Sequence, residues 1–418
     1  MLLLLTTESL GCSTEHTHQQ TTAQTSNENL SVLAQPHGEL GMYMLIPDSP
    51  GDSGYAPRRV AYVVDARSGS VVLRVSRQER DRRFCIAGVA LHSRDGQAPA
   101  AAVLSLASTG GGEDRIRLSF HGETRRGSSG VLELDANTAG LDPWLLRVAD
   151  FDSDGSEDVL VGLPGLPNAD TQNSELFVVS TLTTSILWRA VMNARDHLLG
   201  AGSCATVDLD QDGTADIATF VSTSPRDDAP VLVAYSGRDG KELRRCVLSG
   251  FVGPAAMTVL RPCAPSGVEL TEPRFLVAGE CQQRNALQVA LIAGMDDTRG
   301  SSKSLPSLGA EVSTPVIVSW PKSDGTGQAA IGVPRADVGS GIVLLARSCE
   351  AGVDSIGIIE PSIEAYRFGE YLMCVSDVDH DGESDLLIGG WSGQSGPAIL
   401  ELRSSKDTRR AIWSHLLR

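Results

Sequence analysis

The chain has 418 residues and a formal net charge of −17, from 52 acidic and 35 basic side chains. Phosphate backbones are bound by clustered positive charge, so this balance argues against a nucleic-acid partner. The apolar fraction of 41% can build a core, and no apolar run reaches the roughly 20 residues of a membrane-spanning helix.

The chain starts with an apolar run, Met1–Leu5, then Gly11-Cys12, then a polar stretch over 13–29. This order is similar to a bacterial lipoprotein signal. Residues 1–11 are read as a leader, Cys12 as the lipidated residue and 12–29 as a polar tether. The match departs from the pattern where Glu8 interrupts the apolar segment, and where no basic residue precedes it.

From residue 30 to 418 the chain repeats. Marker glycines stand at Gly38, Gly96, Gly155, Gly213, Gly267, Gly325 and Gly382, at spacings of 58, 59, 58, 54, 58 and 57 residues. A β-rich run follows each marker, as in Val159-Leu160-Val161 and Leu386-Leu387-Ile388. A second pair of runs flanks a turn further on, as over 61–72, 176–188, 231–243, 341–358 and 398–413. Short β-branched runs between turn residues predict antiparallel strands, four to a unit. Four-strand units repeated radially predict an all-β fold: a seven-bladed β-propeller of four-stranded antiparallel blades. A solenoid is disfavoured, because its repeats usually run about 20–45 residues.

Three of the units carry the pattern D-x-D-x-D-G-x-x-D. The residues are Asp150, Asp152, Asp154 and Asp158; Asp208, Asp210, Asp212 and Asp216; and Asp377, Asp379, Asp381 and Asp385. Four like charges within nine residues repel one another unless a cation sits among them. Oxygen-only ligands at flexible spacing suit Ca²⁺. Position 7, which is Ser156, Thr214 or Glu383, can add a backbone carbonyl, and position 9 closes the ring. An EF-hand is disfavoured, because position 12 is Val161, Thr219 or Ile388 rather than Glu and the flanks read as strands. The expectation is about three calcium sites, each between strands 1 and 2 of its blade.

Units with these motifs resemble FG-GAP repeats, the blades of the integrin α-chain propeller and of bacterial FG-GAP/VCBS-type surface proteins. Phe368-Gly369 stands at the "FG" position of the last unit. Ile331-Gly332-Val333-Pro334 and Val161-Gly162-Leu163-Pro164 are close to the "GAP" half. The resemblance implies partners on the face away from the calcium. That face would carry the loops over 163–174, 221–229, 333–340 and 390–396. The expected partner is an unknown protein or glycan, and calcium loops suit an extracytoplasmic setting: secreted, periplasmic or lipid-anchored at a surface.

The expected function is therefore an interaction or adhesion module, not an enzyme. The alternative is a propeller-fold enzyme, a polysaccharide lyase or hydrolase with its site in the central channel. Gly51-Asp52-Ser53-Gly54 has no supporting triad. Trp188, Trp320, Trp391 and Trp413 are expected to pack between blades rather than stack on sugar, with a sugar platform at Trp391 kept as the alternative. Cys85, Cys204 and Cys374 fall at equivalent places on innermost strands, as small hydrophobes. Cys263 and Cys281 lie in one unit, near enough in sequence for a disulfide.

Overall fold

The computed structural model describes residues 43–47, 60–92, 99–108, 114–122, 130–134, 143–165, 173–193, 196–199, 204–222, 229–248, 250–260, 274–281, 287–293, 302–304, 315–320, 327–334, 340–349, 352–393 and 398–417. The expected leader, Cys12, the tether and the markers Gly38, Gly96, Gly267 and Gly325 lie outside these residues. No helix occurs among the described residues.

The strands form seven antiparallel sheets in chain order. Sheet 1 joins β1 (Tyr43–Pro47), β2 (Val60–Asp65) and β3 (Val71–Ser76). Sheet 2 joins β4 (Asp81–His92), β5 (Pro99–Ser108), β6 (Asp114–Gly122) and β7 (Val131–Leu134). Sheet 3 joins β8 (Trp144–Arg147), β9 (Val159–Leu163), β10 (Glu175–Val179) and β11 (Ile186–Val191). Sheet 4 holds β12 (His197–Leu198), β13 (Cys204–Val207), β14 (Asp216–Ser222), β15 (Val231–Tyr235) and β16 (Glu242–Val247). Sheet 5 joins β17 (Phe251–Leu260), β18 (Arg274–Cys281), β19 (Leu287–Ala293) and β20 (Ser302–Ser304). Sheet 6 joins β21 (Val316–Ser319), β22 (Gln328–Val333), β23 (Ile342–Cys349) and β24 (Gly352–Ile359). Sheet 7 joins β25 (Tyr366–Val375), β26 (Asp385–Trp391), β27 (Ala398–Arg403) and β28 (Ala411–Leu417).

The fold is a β-propeller, with one correction to the expected architecture. Six sheets are full blades of at least four strands, not seven. Sheet 1 contributes three strands, the equivalents of strands 2, 3 and 4. The expected place of its innermost strand, before the Gly38 marker, lies outside the described residues.

Burial explains the strand patterns. The middle strands lie between neighbouring sheets and are covered on both faces, so β9, β14 and β15 are buried at every residue. The outermost strands are largely exposed, as in β3 and β16, where only Val75 and Cys246 are buried, because no further strand covers them. The apolar core is correspondingly divided into seven clusters. Each joins one sheet to the next, and the sheet 7–sheet 1 cluster brings Val64 and Ala66 against Tyr371 and Leu402. That cluster closes the ring, aided by the Trp413 indole N–H, which donates to Arg67 O at 2.9 Å.

Four of the innermost strands are irregular. Register shifts occur between Arg83 and Ala87, between Val252 and Ala255, and between Tyr366 and Tyr371. In sheet 4 the strand is interrupted outright, and β12 and β13 both pair with β14. Phe368-Gly369 is this bulge in sheet 7. It lies on the "GAP" glycine of the preceding sheet: a Cβ on Gly332 would fall 1.9 Å from Gly369 O. Gly369 and Gly332 thus meet across a blade boundary. Gly332 lacks a side chain because the next blade's backbone occupies its place.

Candidate metal-binding loops

Each Asp loop links the first strand of its blade to the second: β8 to β9, β13 to β14, and β25 to β26. The three loops repeat one hydrogen-bond pattern. The position 2 amide, of Phe151, Leu209 or Val378, donates to Oδ2 of the position 9 Asp at 2.8, 2.8 and 2.7 Å. The amides of Gly155, Gly213 and Gly382 donate to Oδ2 of the position 1 Asp at 2.7, 3.1 and 2.7 Å. The position 7 amide donates to Oδ1 of the position 5 Asp at 2.7, 2.8 and 2.9 Å. These are Asx-type turns, in which short acidic side chains satisfy their own loop's backbone.

The turn needs two left-handed residues. Position 6 has φ of 84°, 87° and 92° at Gly155, Gly213 and Gly382. Position 4 has φ of 59°, 62° and 60° at Ser153, Gln211 and His380. Side chains seldom adopt that region, so position 4 carries strain that the surrounding bonds hold in place.

Positions 1, 3 and 9 converge. In each of the groups Asp150–Asp152–Asp158, Asp208–Asp210–Asp216 and Asp377–Asp379–Asp385, one carboxylate oxygen per residue lies within 4.8 Å of the others. Position 5 does not join that close group. In the third loop Asp381 is engaged by sheet 7's outer hairpin: Ser404 Oγ donates to its Oδ2 at 3.0 Å, and Lys406 Nζ donates to its carbonyl. Ser156, Thr214 and Glu383 donate their amides within the loop, as above.

The carboxylates are under electrostatic stress. Asp158 and Asp385 are fully buried. Burial, with a smaller push from the neighbouring aspartates, raises Asp158 from 3.8 to about 8 despite the Phe151 amide. Burial likewise raises Asp385 to about 6, against the Val378 amide. Burial also raises Asp216, and Asp150 in the first loop. Asp377 moves down: burial opposes this, but the amides of Gly382, Asp381 and His380 outweigh it.

These residues fit a metal ion. Asp158 Oδ1 and Asp385 Oδ1 are buried without a hydrogen-bond partner among the described residues, as are Asp154 Oδ2 and Asp208 Oδ1. Unpaired buried oxygens facing other carboxylates carry a large desolvation penalty, which a cation removes. An all-oxygen donor set without Cys or His favours a hard ion. The second loop differs, since the Gly237 amide donates to Asp216 Oδ1 at 3.0 Å.

The hairpin turns lie on the same face as the loops. Thr181 Oγ1 donates to Glu157 O at 2.6 Å in sheet 3, Gly237 meets Asp216 in sheet 4, and Ser404 meets Asp381 in sheet 7. Between sheets 3 and 4 the Trp188 indole N–H donates to Gly237 O at 2.6 Å, and the Phe151 ring packs edge-on against Trp188 at 6.5 Å. Trp320 donates to Ser384 O, in the third loop, at 2.7 Å. These inter-blade links escape a motif search, although the expected packing role of Trp188, Trp320 and Trp413 pointed toward them.

On the opposite face, Trp391 is not a platform. It is 4% exposed, its N–H donates to Glu370 Oε2 at 3.2 Å, and its ring packs edge-on against Tyr371. Stacking on sugar needs an open face, so the alternative of a sugar platform falls, and Trp391 packs as expected between blades, in the cluster that joins sheets 7 and 1. Most of the expected binding-face loops lie outside the described residues, as does Gly51–Gly54. Cys85, Cys204 and Cys374 are buried on β4, β13 and β25. The side chains of Cys263 and Cys281 are outside the description.

No protein-family model matches the chain, and a search of curated proteins found no match. Among solved structures, the chain is similar to a point mutant of the Aleuria aurantia lectin in complex with Fucα1-6GlcNAc. The identity is 12%, the TM-score is 0.43, and the match covers 79% of this chain and 94% of that one.

Proposed function

We propose that this chain is a calcium-stabilised, FG-GAP-like β-propeller that acts outside the cytoplasm as a binding module rather than as an enzyme. Its partner, a protein or glycan, binds the face opposite the Asp loops. Asp150, Asp152 and Asp158, then Asp208, Asp210 and Asp216, and Asp377, Asp379 and Asp385 supply side-chain oxygens to three ions. Position 5 and the carbonyls of Ser156, Thr214 and Glu383 complete the shells.

The observation that supports this reading is the pair of buried oxygens, Asp158 Oδ1 and Asp385 Oδ1, without hydrogen-bond partners among the described residues. Each faces two further carboxylates. A lone solvated acidic turn has no reason to bury such an atom. The rigid ring and the variable loops opposite suit a scaffold that presents a binding surface.

The test is a thermal melt of the full chain with calcium and with a chelator, together with native mass spectrometry. Calcium should raise the melting temperature and add up to three ions. An unchanged melt with no bound metal sinks the reading.

A further inference from the structure

One stretch of the chain has a charge balance opposite to its overall character. Residues 74–126, which run from the end of β3 past β6, hold ten arginines and six acidic residues, a local excess of +4 in a chain of −17. Part of that excess lines a cleft of about 570 Å³. Its walls come from the segment entering β4 (Gln78, Arg80), the end of β5 (Ser108), the start of β6 (Arg115, Arg117) and β7 (Glu133). Register fixes the location. Asp81 pairs with Ala107, and Ser108 with Asp114, at the end of the sheet away from the strand 1–2 connection.

The three arginines are held differently. Arg117 is 9% exposed and anchored: Nη1 lies 3.4 Å from Asp81 Oδ1, and Nη2 donates to Gln78 Oε1. That bond leaves the Gln78 amide nitrogen as a donor. Arg115 makes a loose, exposed pair with Glu133 at 3.7 Å, and such pairs are worth about 1 kcal/mol or less. The Arg80 side chain is exposed and makes no ion pair with a described residue, while its backbone carbonyl accepts the Ser108 amide at 3.0 Å. One pinned guanidinium beside two exchangeable ones is an arrangement that grips an oxyanion in bidentate fashion.

We infer that this arginine cleft on sheet 2 is a binding site for an acidic saccharide, gripped through its carboxylate or sulfate groups. The volume suits a ligand of one to a few sugar rings. Gln78 and Ser108 supply uncharged groups for hydroxyls. Among the described lining residues only Ala107 and Val131 are apolar, a poor match to the hydrophobic anchors that peptide recognition uses. The inference rests on the proposed binding role of this face and names its ligand class.

The experiment is calorimetric titration of the calcium-loaded full chain with sulfated and uronate tetrasaccharides, a neutral tetrasaccharide and a polyglutamate peptide. The paired variant Arg80→Gln, Arg115→Gln alters only exposed side chains and spares the Arg117 anchor. The acidic sugars should bind with salt-dependent affinity, and the double variant should lose about tenfold or more. Comparison of the sulfated with the uronate ligand identifies which anion the cleft prefers. Equal binding of the neutral sugar, equal binding of the peptide, or unchanged affinity in the double variant overturns the inference. The calcium-induced melting shift, read on the same samples, separates this from the wider reading: if the shift persists while acidic sugars fail to bind, the cleft assignment alone falls.

Discussion

The indole N–H of Trp188, on the outermost strand of sheet 3, donates to Gly237 O in the hairpin turn of sheet 4 at 2.6 Å. The amide of the same Gly237 donates to Asp216, while the Phe151 ring from the sheet 3 loop packs against Trp188. One buried indole therefore touches the surroundings of two Asp loops. Trp188→Phe should keep the ring packing and lose the hydrogen bond, leaving the buried Gly237 carbonyl unpaired. The expected destabilisation is about 1–3 kcal/mol, read as a fall in denaturation midpoint at unchanged slope. A midpoint equal to wild type would show that the bond contributes nothing.

Calcium should stabilise the ring in proportion to its occupancy. A ligand that binds only the folded state at 100-fold excess over Kd adds about 2.7 kcal/mol per site. Asp158→Asn and Asp385→Asn should each remove one site's share. The same substitutions should raise the melting temperature of the metal-free protein, since a neutral amide is cheaper to bury than a carboxylate. Opposite signs with and without calcium distinguish ligand loss from general damage, and a drop in both conditions contradicts the assignment.

The metal-free protein should weaken as pH rises. Asp158, raised to about 8, and Asp385, raised to about 6, bind protons more tightly folded than unfolded. Their stabilising contribution is complete below the unfolded value near 3.8 and is lost as pH climbs through the folded values. Between pH 4 and 8 the chelated protein's melting temperature should therefore fall, and the calcium-induced rise should widen. A calcium effect that is flat across this window contradicts the coupling of ion and proton at these two residues.

The second loop should be the weakest site. Asp216 Oδ1 already accepts the Gly237 amide, whereas its counterparts Asp158 Oδ1 and Asp385 Oδ1 lack a hydrogen-bond partner among the described residues. A cation there relieves less penalty. Titration of variants that retain one intact loop each should place the Asp208–Asp210–Asp216 site last in affinity. Equal affinities would show that the unpaired oxygens do not set the order.

Gly332→Ala tests the meeting of blades 6 and 7. The added methyl would sit 1.9 Å from Gly369 O, and backbone cannot yield as a side-chain tip can. The expected loss is about 1–3 kcal/mol or more, with the calcium ions retained. Wild-type stability in this variant would refute the close approach.

The Asp loops were legible in the sequence because their chemistry is local. Nine residues contain both the carboxylates and the amides they satisfy, so Asp and Gly spacing alone announces the turn. Position 4 was not legible: Ser153, Gln211 and His380 share a backbone conformation but no side-chain property. The repeat period located the blades, yet the partner of each motif glycine stayed hidden. Gly332 and Gly369 are 37 residues apart, and their contact exists only after two blades pack. The cover over Trp391 stayed hidden for a related reason: Glu370 and Tyr371 reach it from the bulge of β25. The arginine cleft gathers side chains from four separate segments, so no single window of sequence displays it.

The seam formed by Trp413 and Arg67 joins residues 346 positions apart. At synthesis, sheet 1 leaves the ribosome long before its closing neighbour exists. Val64 and Ala66, fully buried in the finished ring, spend that interval facing water or another chain. Translation speed and chaperone access during that wait then bear on yield, because an uncapped apolar sheet is prone to aggregation.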